Sequence, residues 1–456
     1  MMNDKLNTRI RESAMLDIWD EISTDEEVAY LTEHSAEAAE TMVAYMRGLP
    51  FLPGPRLTPV RPVVLRDEVR IRMEEASAGL VKLIERACWS LTDDPAVLRD
   101  MVGLSENQVP LLNAGGPAAE RERAGLLARP DVVIQEGRPK FLECNFGTAD
   151  AGPTAAHQLT AAYASMYRTF DKRRRRPGAH EPFAGRMELF NRLCIEQGLP
   201  RKVAVLGTLR EENVDDSRYF NIEPEYLRSH GFESRFFEPE EFARCSPDDK
   251  WSVVINAFIS GEWRRMGIPL AGARRAYETA MVASPDSGRV LSSKLILAWL
   301  SEGKFRLSAG DAALVDESIP WTRLLGSHSV VHQGREQSAT ELALRRRENL
   351  VLKPIGAFGG HGVLLGRHTD PEEWRSKVQT AASDGGHIIQ ELVEADHLAA
   401  DFHDAHAGKV VRHQVSYVLG PYIVGGKPSG YMVRHAPSVS PSIVNFDRGA
   451  SFNLGI

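Results

Sequence analysis

Cysteine is scarce in this chain: only 4 of its 456 residues, Cys88, Cys144, Cys194 and Cys245, scattered without a CxxC pair. That spacing excludes a disulfide framework and a thiolate zinc site, and it predicts reduced thiols in a cytoplasmic protein. A basic surplus is missing too, since 55 Lys and Arg stand against 62 Asp and Glu, a net charge of −7. Neither nucleic acid nor an anionic membrane is therefore expected as a partner, and any bound anion must meet locally placed cations. No window approaches the ~18 apolar residues that span a bilayer. The opening run MMNDKLNTRIRESAMLDIWDE has no apolar signal core. Internal repeats and low-complexity tails are also absent.

What is present is an ordinary globular composition, 43% hydrophobic and 26% charged, long enough for two or three packed subdomains. Residues 1 to about 115 read as helical, with apolar residues at three- and four-residue intervals in Thr24–Arg47 and Asp67–Ser90 and five prolines between them. From Pro130 the pattern changes. Asp131–Gln135 and Lys140–Asn145 are strand-like runs separated by Glu136-Gly137-Arg138-Pro139, a hairpin signature. The basic run Asp171–Arg176 reads as a solvated loop. Strands are expected at Lys202–Gly207, Glu233–Phe237 and Trp251–Ile259 around a helix near Glu223–His230, an order that implies a small parallel α/β layer. An amphipathic helix at Leu291–Leu300, strands at Leu350–Lys353 and His387–Glu391, and a strand-and-turn region after Val410 complete an α/β fold.

Five constellations carry chemistry. Asp131 and Glu143-x-Asn145 sit on adjacent strands of the hairpin, and residues 143 and 145 share a face because side chains alternate. Their oxygens suit Mg²⁺ completed by phosphates; the bland alternative is a charged sheet edge. The run VLKPIGAFGGHGV ends an apolar strand in Lys353 and enters a loop with four glycines between Gly356 and Gly362. Such a loop lets backbone N–H groups approach phosphate, while the strand fixes the lysine. IIQELV presents Gln390, Glu391, Leu392 and Val393 as a candidate adenine cleft. SSKLILAWL opens an apolar helix with Lys294, and GYMVR sets Arg434 at a strand end, where it can clamp a carboxylate or phosphate.

In this order the five pieces resemble the circularly permuted ATP-grasp ligases typified by eukaryotic glutathione synthetase and glutathionylspermidine synthetase. The acid hairpin precedes the lysine strand by about 210 residues, as a permutation requires. The resemblance covers Arg129 to the C-terminus. It implies ATP and Mg²⁺ as cofactors, with Glu143 and Asn145 as metal ligands and Asp131 as the acid ahead of them. Lys294 and Lys353 would meet nucleotide phosphates, Gly359, Gly360 and Gly362 would cover them, and Gln390–Val393 would hold adenine. Lys353 and Arg434 are the expected catalytic residues, and Arg129, Asp150, Asn256, Glu262 and Arg434 would line the substrate pocket. The implied units are a helical region (1–125), the metal-binding half of the ATP-grasp (126–195), a small α/β substrate domain (196–285) and the ATP-binding half with its glycine-rich lid (286–456).

The implied reaction joins a small-molecule carboxylate, an amino acid or peptide, to an amine through an acyl phosphate, and a homodimer is the expected assembly. Phosphoryl transfer to a small molecule and non-catalytic nucleotide binding are the other readings of the same residues. Two departures stand out. Ala357 occupies the place of an acid that contacts metal in the family's glycine loop, which leaves Asp131 as the third ligand. The family's alanine- and glycine-rich loop is reduced to Asp447-Arg448-Gly449-Ala450.

Overall fold

Thr24 starts the helical region with a reciprocal cap. Its hydroxyl accepts from the Glu27 amide at 3.2 Å, and the Glu27 carboxylate accepts from the Thr24 amide at 2.9 Å. The helices Asp25–Glu33 and Ser35–Met46 follow, and a 23-residue helix, Asp67–Trp89, buries Met73, Leu80, Val81, Ile84 and Cys88. The computed structural model describes residues 16–49, 57–147, 152–167, 181–211, 214, 216–246, 249–436, 443–444 and 450–456. Asp150, the basic run 171–176 and most of 447–450 lie outside them. Among the described residues no helix is long and apolar enough to cross a membrane.

Three sheets of four or more strands organise the described residues, beside a two-stranded hairpin of Ser329–His332 and Arg335–Ser338. The largest has seven strands, all antiparallel. Its spine is the long strand Lys409–Val424, which pairs with Leu398–Asp404 along its first half and with Lys427–Ala436 along its second. Leu127–Gln135 also pairs with the second half and carries Arg138–Phe146 beside it. Leu57–Pro59 closes one edge against Leu398–Asp404, and Ser451–Gly455 closes the other against Lys427–Ala436. The acid hairpin, the chain's last strands and a strand from the N-terminal region thus share one sheet. Its main core runs from Leu16 through Val132 and Phe141 to Ala450.

A second sheet, of four antiparallel strands, holds Leu350–Pro354 between Leu364–Leu365 and His387–Glu391, with Thr322–Leu324 outermost. The third is parallel, in the order Glu233–Phe237, Lys202–Leu206, Val253–Asn256, Met281–Val282. Both of its faces are covered, as parallel strands require. Ala204, Leu206 and Val254 enter one core, while Val203, Val205, Val253 and Ile255 enter another. The strand expected over Trp251–Ile259 ends at Asn256, and beyond it Phe258 stacks on Trp263 with ring centroids 3.7 Å apart. The helix expected over Leu291–Leu300 is two helices, Asp286–Leu291 and Lys294–Ser301, and the Lys294 amide donates to the Ile355 carbonyl at 3.1 Å.

A buried charge network ties the N-terminal segment to the large sheet. Arg61 is 2% exposed and pairs with Asp17 and Asp401, each at 2.5 Å, and Arg412 shares Asp401 at 2.7 Å. Removing the central cation leaves the Asp17 carboxylate buried without its counter-ion, while Asp401 keeps Arg412. Arg61→Met is expected to cost about 3–5 kcal/mol, read from urea unfolding midpoints. Arg66→Met removes a half-exposed pair with Glu21, and its cost should stay below about 1 kcal/mol. Equal losses would show that the network is not a structural tie.

Candidate active site

The acid hairpin is made by its turn and bent by a bulge. Glu136 and Gly137 both have positive φ, 52° and 69°, the signature of a two-residue turn whose twist matches the strands. Arg129 faces Asn145 and Asp131 faces Glu143, after which Val132 pairs with Phe141, leaving Leu142 as the extra residue. Asp131 and Glu143 thus stand opposite each other with Asn145 two residues on, an arrangement the bulge makes, since an unbroken register would set Asp131 opposite Leu142.

Four cations surround these acids. Lys353, 7% exposed at the end of its strand, donates to Gln390 Oε1 at 2.6 Å and to the Leu142 carbonyl at the bulge at 3.2 Å. Burial pulls its ammonium down to about 8, against the pull of Glu143 and with the help of Lys294. The Gln390 amide in turn donates to Thr322 Oγ1 at 3.0 Å, which fixes its orientation. Lys294 is the first residue of its helix, where a cation opposes the helix dipole. Its ammonium is 2.9 Å from Glu143 Oε2 and 2.6 Å from the Ala357 carbonyl. Burial alone would raise the Glu143 carboxyl, but Lys294, with Lys353 and Arg434, holds it well below the usual carboxylate range. Asp131 accepts from Arg129 through one oxygen and from Arg434 through the other. Within this cluster four cations face two carboxylates, while Glu391, Glu394 and Asp396 line the rest of the same cavity. Among the described residues Arg434 Nε has no partner although it is buried.

The glycine loop runs from Ile355 to Val363 between two paired strands, so it is a hairpin loop over the cluster. Gly359, Gly360 and Gly362 take φ of 62°, 73° and 72°, a region open to glycine at no steric cost. A Cβ at Gly362 would also meet the Pro354 ring at 2.8 Å. The loop's first carbonyls are tied down: Arg289 donates to Gly356 at 3.0 Å, Lys294 holds Ala357, and the Phe358 ring lies 3.1 Å from the Arg289 guanidinium carbon. At the hinge, the amides of Glu391 and Leu392 donate to Trp321 and Asn349 carbonyls at 2.9 and 2.8 Å, and Glu391 accepts from His332 Nε2 at 3.0 Å.

These parts enclose a cavity of about 260 Å³, lined by Asp131, Glu143, Lys353, Arg434, Gly359, Gly360 and the hinge from Gln390 to Val393. Lys294 and Asn145 act on it through Glu143, the Asn145 amide donating to Glu143 Oε1 at 3.3 Å, and Arg129 acts through Asp131. Asn256 ends a parallel strand and bonds the buried Tyr277 hydroxyl, and Glu262 lines a separate cavity. Asp131, expected as a third metal ligand, spends both oxygens on arginines. Glu143 also has both oxygens engaged, by Lys294 and by the Asn145 amide, but by one cation rather than two; it and the Asn145 carbonyl are hard donors, and Mg²⁺ takes only one or two carboxylates when phosphates and water fill its octahedron. Among the described residues no group of three or more His, Cys, Asp or Glu side chains could hold a metal ion. Sequence reasoning missed Arg289 and Thr322, which lie far along the chain from the motifs they brace.

No protein-family model matches the chain, and no curated protein does. Among solved structures it matches a glutathione synthetase-like effector from Globodera pallida over 95% of this chain and 98% of that one, with 14% identity and a TM-score of 0.59. The two chains share a fold. A D-cycloserine synthetase matches 48% of this chain and 67% of its own at 16% identity, with a TM-score of 0.27. A protein described as a gamma-glutamylcysteine synthetase from Methylobacillus flagellatus KT matches 83% and 88% at 11% identity, with a TM-score of 0.38.

The electrostatics give a direct check. Glu143 raises the Lys353 ammonium towards its normal value, so Glu143→Gln should push it below about 8. Side-chain ¹³C titration of Lys353 by NMR reads the shift, and an unchanged titration would separate the two residues.

Proposed function

We propose that this chain is an ATP- and magnesium-dependent carboxylate–amine ligase with a circularly permuted ATP-grasp architecture. The observation that carries the reading is the buried cluster of Lys294, Lys353, Arg129 and Arg434 around Glu143 and Asp131 under a glycine loop, four cations to two carboxylates at one part of a cavity whose other acids are Glu391, Glu394 and Asp396. Desolvated cations in excess of their counter-ions are costly unless a polyanion completes them. The permutation is supported by the contact between Lys353 and the Leu142 carbonyl, which joins the lysine strand to an acid hairpin lying about 210 residues earlier in the chain. The shared fold with a glutathione synthetase-like effector agrees with it.

In this reading adenine lies along Gln390–Val393, Lys353 and Lys294 take the β- and γ-phosphates, and the amides around Gly359, Gly360 and Gly362 cover them. Glu143 and Asn145 would hold Mg²⁺, which neutralises charge on the transferring phosphoryl group. A substrate carboxylate oxygen attacks the γ-phosphorus in line, and the bond to ADP breaks. Arg434, braced by Asp131, orients that carboxylate. The amine then attacks the acyl carbon, and Arg434 stabilises the tetrahedral oxyanion until phosphate leaves with one former carboxylate oxygen. The loop excludes water, whose attack would release the activated acid without an amide.

The products should be ADP and phosphate, and ¹⁸O placed in the substrate carboxylate should appear once in the released phosphate. AMP among the products would overturn the assignment. Lys353→Ala should weaken nucleotide binding by roughly ten- to hundred-fold, since each charge-assisted contact is worth about 1.5–3 kcal/mol.

The same lysine sets a pH dependence. Its ammonium titrates at about 8 in the ligand-free site, and phosphate beside it favours the charged form. Binding above that pH therefore takes up a proton, and affinity should fall as pH rises, by up to about tenfold per unit. Lys353→Arg, which stays charged, should flatten the profile measured with Mg²⁺ and a non-hydrolysable ATP analogue. An equal slope in both proteins would exclude Lys353 as its source.

A further inference from the structure

A second cavity, of about 630 Å³, opens between the short helix Ser260–Arg265 and the Asn107–Gln108 turn, and Arg289 forms part of its wall. Its charged lining is Arg264, Arg265 and Arg289 against Glu262, a net charge suited to an anion. Two of its walls continue into the glycine loop. Gln108 is wedged between glycines: a Cβ on Gly261 would meet its backbone oxygen at 2.6 Å, and one on Gly356 would meet its Nε2 at 3.2 Å. Arg289 spends one of its five N–H donors on the Gly356 carbonyl, and its guanidinium carbon sits over the Phe358 ring. Its Nε is buried with no partner among the described residues.

Resting on the ligase reading above, we infer that this cavity receives a carboxylate-bearing portion of the acid substrate. Arg289 is the positioning residue that couples its occupancy to closure of the glycine loop. A planar guanidinium takes a carboxylate through paired N–H bonds, and its face remains on Phe358 while it does so. An occupant therefore stiffens the Gly356–Phe358 segment over the phosphates. The acid and the nucleotide then bind with positive cooperativity, and the loop closes best when the group to be activated is present. Glu262, the one acid in the wall, disfavours a second anion close to it.

The probes are glutarate, its uncharged analogue glutaramide, and the Mg²⁺ complex of a non-hydrolysable ATP analogue, titrated calorimetrically into the full chain. Glutarate should bind the nucleotide-free protein while glutaramide does not. Glutarate should also tighten analogue binding by about fivefold or more. Arg289→Met keeps the side-chain volume but should weaken glutarate at least tenfold and abolish the coupling. Phe358→Leu leaves the cavity arginines in place, so glutarate should bind it as it binds wild type while the coupling falls. Equal binding of glutaramide, no binding of glutarate, or undiminished coupling in both variants would overturn the inference. If the analogue alone fails to bind wild type, the nucleotide reading falls, and glutarate binding to wild type and Arg289→Met still decides the cavity.

Discussion

Everything near the candidate site follows from a charge imbalance held out of water. Glu143 and Asp131 are each fixed by cations, Lys294 for the first and Arg129 and Arg434 for the second, and Lys353 is added with only neutral oxygens as direct partners. A buried ammonium without its own carboxylate is tolerated where neighbouring dipoles are oriented towards it. Here they are the Leu142 carbonyl at a bulge and a glutamine oriented by Thr322. The long strand and the acid hairpin serve that arrangement, since pairing Leu419 with Val132 places the Arg434 strand and Asp131 within reach of one another.

Local rules are broken at the same place. A lysine begins a helix, a strand gains an unpaired residue at 142, and three glycines of one loop take left-handed conformations. The first two departures cost stability in isolation, and each of the three supplies something the cluster uses: a cation aimed at Glu143, a freed carbonyl, or backbone close to the cavity. Concentration of such departures in one region is what a functional site looks like in an otherwise consistent fold.

The sequence disclosed what local pattern controls. Glu136-Gly137 specifies a two-residue turn, but alternation from it alone would set Asp131 opposite Leu142, and only the bulge, which no local pattern announces, brings Glu143 there; the strands at Glu233–Phe237 and His387–Glu391 follow from their residues alone. Long-range partners carry no such signal. Nothing in Leu57-Thr58-Pro59 indicates that it pairs with Leu398–Asp404, and nothing in the spacing of Asp131 indicates that its oxygens go to arginines 2 and 303 residues away. The hinge was legible as a strand, but the commitment of Glu391 to His332 depends on a hairpin that brings His332 across from elsewhere in the chain.

The joint between the parallel sheet and the site is built on the opposite principle from the site itself. Asp286 begins the helix that presents Arg289, and its carboxylate accepts from Ser260 Oγ at 2.7 Å and the Leu111 amide at 2.8 Å, while its own amide donates to the Tyr277 hydroxyl at 3.0 Å. Glu120 accepts from the next amide, Ser287, at 2.9 Å. Burial raises these acids to about 6 and about 7, and each lacks a cation within salt-bridge distance among the described residues. Three parts of the chain thus meet through short hydrogen bonds to weakly acidic groups, which fix geometry without a strong local field. The helix reaching Arg289 is held rigidly at its start, and its far end delivers a guanidinium to a loop that Lys294 also holds. Charge is concentrated at the acid hairpin, and where three segments need only be joined, neutral geometry suffices.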